Sequence, residues 1–114
     1  MSIRHSKSGE VIQLPLGFAL GKSKTTTLVK TNDLELVRLV LPEGKEIATH
    51  KAPGEITVQC LEGRVAFTVG SQTHKLMVGQ LLYLSAAEPH SVTAIEDSSL
   101  LVTMLLPKKS ARPS

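Results

Sequence analysis

Short runs rich in apolar and β-branched residues recur along the chain, separated by turn residues. They lie at about residues 10–14, 26–30, 34–41, 46–50, 55–61, 64–69, 73–77, 80–84, 90–95 and 99–106. Runs of this length between turn signals are typical of β-strands, and no segment shows a helical apolar stripe capped at its start. The pattern therefore predicts a nearly all-β chain, built as a sandwich or a barrel.

Glycine and proline mark the turns between these runs. The sequences Glu62-Gly63 and Gly70-Ser71 each fall between two neighbouring runs, where a two-residue turn would join the strands of a hairpin. The runs at 34–41 and 99–106 are apolar at nearly every position, so both faces of those strands are expected to be covered. One small pair of sheets cannot cover both faces of these two strands. The remaining apolar surface predicts a homodimer, in which a second copy covers it.

The 114 residues suffice for one domain, which we place at residues 10–106. Residues 1–9 and 107–114 are polar and basic without apolar periodicity, and we expect both to be flexible. The basic excess lies in these ends, since residues 10–106 hold eight basic and ten acidic residues. This distribution, with no Trp and few other aromatic residues, argues against a nucleic-acid-binding face.

The single cysteine, Cys60, excludes a disulfide within the chain and agrees with a reducing compartment. No apolar run reaches the length of a signal-peptide core or a membrane span. We therefore expect a cytoplasmic protein with neither a nucleic-acid partner nor a membrane partner.

Two histidine segments have a recognisable spacing. Five residues separate Gly44 from His50, and a further glycine, Gly63, closes the segment; five residues after Gly79 begins the segment "SAAEPH", which ends in His90. These segments resemble the first and second motifs of the cupin superfamily, over about residues 34–106. The resemblance implies a small double-stranded β-helix, also called a jelly-roll barrel, that is usually dimeric.

The resemblance is incomplete at the positions that bind metal in metal-binding cupins. Ala52 stands where those proteins have a second histidine, and Ile56 stands where they have a glutamate. In the second motif, Ser85, Ala87 and Ala94 replace the usual proline, glycine and asparagine. Of the usual ligands only two histidines remain, so the motif is degenerate and no metal cofactor is expected.

Four residues are the candidates for the site: His50, His90, Tyr83 and Glu55. The two histidines are expected to meet in one cavity and to hold a ligand, and Tyr83 lies on a strand expected to line or back the barrel. Strand alternation places Ile56 inward and Glu55 outward, unless the Pro53-Gly54 turn swings Glu55 into the barrel.

Three functions fit this interpretation. The first is a binding module that holds a small polar or anionic molecule in the barrel. The second is a metal-dependent dioxygenase, isomerase or decarboxylase, in which His50, His90 and Glu55 would bind a divalent ion such as Fe, Zn, Mn or Ni. The third is a metal-free isomerase or epimerase with a histidine base and Tyr83 as acid. Sequence alone leaves open which of these is correct and whether the protein is an enzyme.

Overall fold

The computed structural model describes residues 5–14 and 24–107, and its regular elements are all β-strands. Nine strands lie in the described part of the chain: β1 (Thr26–Lys30), β2 (Leu34–Leu41), β3 (Glu46–His50), β4 (Ile56–Glu62), β5 (Arg64–Val69), β6 (Gln72–Met77), β7 (Leu81–Leu84), β8 (His90–Ala94) and β9 (Ser98–Leu105). The all-β prediction is confirmed, and no helix in these residues could cross a membrane.

The strands form two antiparallel sheets. One has five strands in the order β1-β2-β9-β4-β7, and the other has four in the order β3-β8-β5-β6. Consecutive strands are often in different sheets, so the chain crosses repeatedly from one layer to the other. This winding gives the double-stranded β-helix that the sequence predicts.

The core lies between the two sheets and follows the alternation of the strands. In β4 the residues Ile56, Val58 and Cys60 are buried, and in β5 Val65 and Phe67 meet them from the other sheet. Burial raises the pKa of the Cys60 thiol, because the thiolate would lose its hydration. Cys60 therefore serves as a small apolar core residue.

The strand predicted at residues 10–14 is wrong, because these residues pair with no neighbouring strand. Val11 in this segment is 84% exposed. The carbonyl oxygens of Gln13 and Leu14 instead accept hydrogen bonds from the Arg38 guanidinium on β2. The segment thus lies near the outer face of the five-stranded sheet without becoming part of it.

The expected flexible ends are only partly described. Residues 5–9 are included, and the Ser6 amide donates to the Leu28 carbonyl on β1. Residues 1–4 and 108–114 lie outside the described residues, so the proposed domain limits stay predictions.

One of the two predicted hairpins is confirmed. Gly70 and Ser71 join β5 to β6, and Val69 pairs directly with Gln72 across the turn. The prediction for Glu62-Gly63 is wrong, because β4 and β5 belong to different sheets. Gly63 is instead the corner at which the chain leaves one sheet for the other.

Two constraints require glycine at this corner. Gly63 has a φ of +80°, which is unfavourable for residues with a Cβ atom. A Cβ built there would also lie 2.2 Å from the Asp97 carbonyl oxygen and 2.3 Å from the Ser98 Oγ. The same Ser98 hydroxyl accepts a hydrogen bond from the Arg64 amide, so the crowded atoms belong to the bonds that close the corner.

We predict that Gly63→Ala destabilises the fold by about 2 kcal/mol or more, because it combines an unfavourable φ with a backbone clash. Gly70→Ala is the matched control: its φ is +60°, but a Cβ there would meet nothing within 4 Å. Its cost should be about 1 kcal/mol. Equilibrium urea unfolding measures both, and equal losses in the two variants would contradict the proposed clash.

Candidate functional site

A cavity of about 310 Å³ lies between the two sheets. Val58 of β4 and Val102 of β9 line it from the five-stranded sheet, and Phe67 of β5 and Val92 of β8 line it from the four-stranded sheet. These side chains point inward because they occupy alternate positions of their strands. The walls are therefore hydrocarbon, and the few polar side chains at the cavity decide what it can bind.

His50 and His90 are brought together as directly opposed residues of β3 and β8. Their ring centroids are 4.2 Å apart, with the planes inclined at 62°. Both side chains line the cavity. The sequence prediction that the two histidines meet inside the barrel thus agrees with the structure.

An irregularity in β3 makes this meeting possible. Ile47 pairs with Val92 and His50 pairs with His90, so β3 advances three residues while β8 advances two. Strict alternation would direct Ile47 and His50 to opposite faces of the sheet. The extra residue is a β-bulge, and it directs both side chains into the cavity.

Main-chain carbonyls fix the orientation of both imidazole rings. His50 Nδ1 is 2.9 Å from the Ala48 carbonyl oxygen, and His90 Nδ1 is 2.9 Å from the Glu88 carbonyl oxygen. Because a carbonyl oxygen only accepts, each Nδ1 must be the protonated donor. Each Nε2 is therefore the nitrogen left to interact with a ligand.

The two rings differ in depth. His90 is only 5% exposed and stacks on Phe67, with centroids 5.5 Å apart and planes inclined at 13°. His50 is exposed. The pair thus consists of a buried imidazole, His90, and an exposed imidazole, His50, at the cavity mouth.

The loop after β3 forms part of the cavity rim. Lys51, Ala52 and Pro53 line the cavity, and the Ala52 carbonyl accepts a hydrogen bond from the Ala87 amide. Ala87 has a φ of +63°, which is unusual for a residue with a side chain. This strained residue ties the β7–β8 loop to the β3–β4 loop beside the histidines.

Glu55 and Tyr83 do not line the histidine cavity, so the four candidate residues divide between two places: Glu55 points outward as strand alternation predicts, and the alternative in which the turn swings it inward is wrong. The Tyr83 hydroxyl donates a hydrogen bond to the Glu55 carboxylate. Both residues are exposed and lie beside Thr57 and Thr103 in a shallow groove outside the histidine cavity. Strand alternation causes the separation, since Ile56 is buried while the residues on either side of it point outward.

The residues present do not fit a metal ion of the kind that metal-binding cupins hold. Among residues 5–14 and 24–107 no three His, Cys, Asp or Glu side chains cluster closely enough to hold a metal ion. Ala52 and Ile56, at the positions of the missing ligands, present hydrocarbon to the cavity. The alternative set of His50, His90 and Glu55 does not form, because Glu55 points away from the cavity.

Sequence reasoning missed two members of the site, Lys51 and Phe67. Lys51 is the next residue after His50, but strand alternation gave no reason to place both at one cavity. The stacking of Phe67 on His90 depends on β5 and β8 being neighbours, which the run pattern does not specify.

Comparisons with known proteins agree with this geometry. A family model described as a cupin domain matches residues 37–106. A search of curated proteins found no match.

Solved structures resemble most of the chain. A conserved protein of unknown function from Streptococcus pyogenes is 27% identical, with a TM-score of 0.74 over 96% of this chain and 98% of that one. An RmlC-like cupin family protein with a double-stranded β-helix fold, from Methanocaldococcus jannaschii, is 18% identical, with a TM-score of 0.72 over 89% and 94%. A mutant of salicylate 1,2-dioxygenase from Pseudoaminobacter salicylatoxidans is 26% identical, with a TM-score of 0.61 over 64% of this chain but only 21% of that one.

We predict that Glu55→Gln lowers the pKa of Tyr83, the chain's only tyrosine. The hydrogen bond to the Glu55 carboxylate raises the pKa of Tyr83, because ionisation would lose that bond and place two negative charges side by side. The ultraviolet absorbance of the phenolate follows this titration. Glu88→Gln is the control and should lower the Tyr83 pKa less, since the charge of Glu88 is the weakest of the causes that raise it. An unchanged titration midpoint in Glu55→Gln would contradict the hydrogen bond between Tyr83 and Glu55.

We predict that divalent zinc, iron, manganese and nickel bind weakly, without submicromolar affinity, and that Glu55→Gln leaves this binding unchanged. Two imidazoles leave most of the coordination sphere to water, and no carboxylate in the cavity offsets the ion's charge. Calorimetric titration of metal-stripped protein provides the test. Submicromolar binding that disappears in Glu55→Gln would show that the carboxylate swings inward and would restore the metal-enzyme hypothesis.

Proposed function

This chain belongs to the cupin family, and on that basis we propose that it binds a small molecule in the barrel, with His50 and His90 holding the ligand's polar or anionic group. The molecule would enter from the mouth, where His50 is exposed. The role that fits such binding is sensing or sequestration of the ligand.

One observation supports this proposal above the others: two oriented imidazoles open into a cavity with hydrocarbon walls. A ligand gains free energy by burying its apolar part, while the two Nε2 atoms select its polar group. The Nδ1 bonds and the stacking on Phe67 hold the rings before a ligand arrives. Such preorganisation reduces the entropy lost on binding.

The two enzyme hypotheses each lose a required residue. The metal-dependent reaction needs Glu55 as a third ligand, and the metal-free reaction needs Tyr83 as an acid. The Tyr83 hydroxyl and the Glu55 carboxylate instead form a hydrogen bond with each other outside the cavity. The binding function needs neither of them, so we favour it. The cytoplasmic location stays a prediction.

The homodimer also stays a prediction, and the outer face of the five-stranded sheet is the surface we expect to pair with a second copy. Leu81, Tyr83 and Leu105 are 62%, 57% and 48% exposed on this face. A stable interface commonly buries about 1,200 Å² or more in total.

Light scattering should give the mass of a dimer for the wild type and of a monomer for Leu81→Glu. Met77→Glu, at an exposed position of the other sheet, should remain dimeric, and a monomeric wild type would refute the prediction.

We predict that n-alkanoates from butanoate to octanoate bind in the cavity with affinity that rises with chain length. Each methylene that enters the cavity should contribute about 0.8 kcal/mol, or about fourfold in affinity, until the space is filled. Amide NMR titration measures the affinity and locates the site. Ala52→Phe places a bulky ring at the rim and should abolish these shifts.

A pair of variants tests the role of His50. His50→Leu should weaken octanoate binding, whereas His74→Leu, on an exposed position of β6, should not. Shifts confined to residues outside the cavity, or affinity that does not depend on chain length, would refute the proposed function.

A further inference from the structure

We infer that the ligand is a singly charged anion with an apolar body, a monocarboxylate, whose head lies at the histidine mouth and whose hydrocarbon part fills the barrel. This inference rests on the proposed function and specifies its ligand class.

The first argument is the sign of the charge at the cavity. Its described lining contains three ionisable side chains, His50, His90 and Lys51, and no aspartate or glutamate. All three can carry a positive charge, and none can carry a negative one. A bound anion is therefore complemented by its surroundings, while a bound cation would lie beside the Lys51 ammonium with no carboxylate to offset it.

The acidic residues of the adjoining loops are already engaged elsewhere. The Glu55 carboxylate accepts from the Tyr83 hydroxyl, and the Glu88 carboxylate accepts from the Ser85 hydroxyl. Neither glutamate lines the cavity. Neither glutamate therefore presents a carboxylate oxygen to the cavity, where the charged group of a ligand would lie.

The second argument is the number of donors. Each imidazole can offer one Nε2–H when protonated, and Lys51 can add its ammonium group at the rim. Those few donors suit the two oxygens of one carboxylate. A doubly charged phosphate would bring a second negative charge into a hydrocarbon cavity, at a larger cost in desolvation than a carboxylate.

The third argument is the orientation that the walls impose. His50 and Lys51 are exposed, whereas Val58 and Leu100 of the same cavity are almost completely buried. His50 and Lys51 lie at the exposed mouth, the buried His90 lies beside His50, and the remaining walls of the cavity are hydrocarbon. A ligand that satisfies both regions has its charge at one end and hydrocarbon at the other.

Three compounds with a six-carbon chain distinguish an anionic, a neutral and a cationic head group: hexanoate, hexanamide and hexylammonium. We expect NMR titration of the wild type to show hexanoate binding about tenfold or more tightly than hexanamide, because hydrogen bonds to a charged group are the stronger ones. Hexylammonium should bind most weakly.

Lys51→Glu tests the charge directly. It should weaken hexanoate binding about fivefold and change hexanamide binding less than about twofold, as expected for the loss of one exposed charge pair. Lys75→Glu makes the same change of net charge on an exposed position of β6 and should alter neither affinity.

The outcomes separate the two proposals. If hexanamide binds in the cavity as tightly as hexanoate, or hexylammonium binds more tightly, the anion inference is wrong while the binding function stands. If Lys51→Glu and Lys75→Glu weaken hexanoate equally, the selectivity comes from net charge, and the assignment of the head to this mouth is wrong. If none of the three compounds shifts residues of the cavity, the proposed function fails and the inference fails with it.

Discussion

The site depends on one extra residue in β3. The bulge between Ile47 and His50 allows two residues of opposite parity to face the same cavity. Without it, His50 would point outward, His90 would keep Phe67 as its ring neighbour but lose the second imidazole, and the mouth would lose its outer histidine. The histidine pair and the position of Lys51 directly after it both follow from this local change of register. A small backbone irregularity therefore controls the polarity of a cavity that is otherwise hydrocarbon.

Much of the fold was predictable because strand alternation is a local property. The runs at 26–30, 34–41, 46–50 and 64–69 coincide with β1, β2, β3 and β5. The errors arise where a decision depends on distant residues. Glu62-Gly63 looks like a hairpin turn, but the atoms that crowd Gly63 come from Asp97 and Ser98, more than thirty positions later. The segment 10–14 has a strand-like composition but pairs with none of the nine strands in the described part of the chain.

The candidate site was predictable to a similar extent. The spacing of the two histidine segments, read through the family resemblance, was sufficient to expect that His50 and His90 meet. For Glu55, alternation gave the correct outward direction, and the adjacent turn did not override it. For His50, alternation alone would have given the wrong direction, since no residue type in β3 signals the bulge. Lys51 and Phe67 were missed because their role depends on which strands become neighbours.

Hydrocarbon at the positions where metal-binding cupins have ligands also changes the energetics of the barrel. Ile56 is 5% exposed and belongs to the main core cluster. Full burial of such a side chain contributes roughly 1.5–3 kcal/mol, whereas a buried carboxylate without a partner costs free energy. The barrel interior is thus continuous from the core to the cavity wall, and the side chains that stabilise the fold also form the wall of the cavity.

The Nδ1 bonds of the two histidines have a consequence for how this protein can change during evolution. Each Nδ1 donates to the main-chain carbonyl two residues earlier in the sequence. No other side chain therefore has to be retained to keep the proton on Nδ1. Mutations in the walls other than Phe67, which stacks on His90, can alter the size and shape of the cavity while both Nε2 atoms stay in place. The shape of the cavity can therefore change by single substitutions, without an intermediate in which the histidine pair is lost.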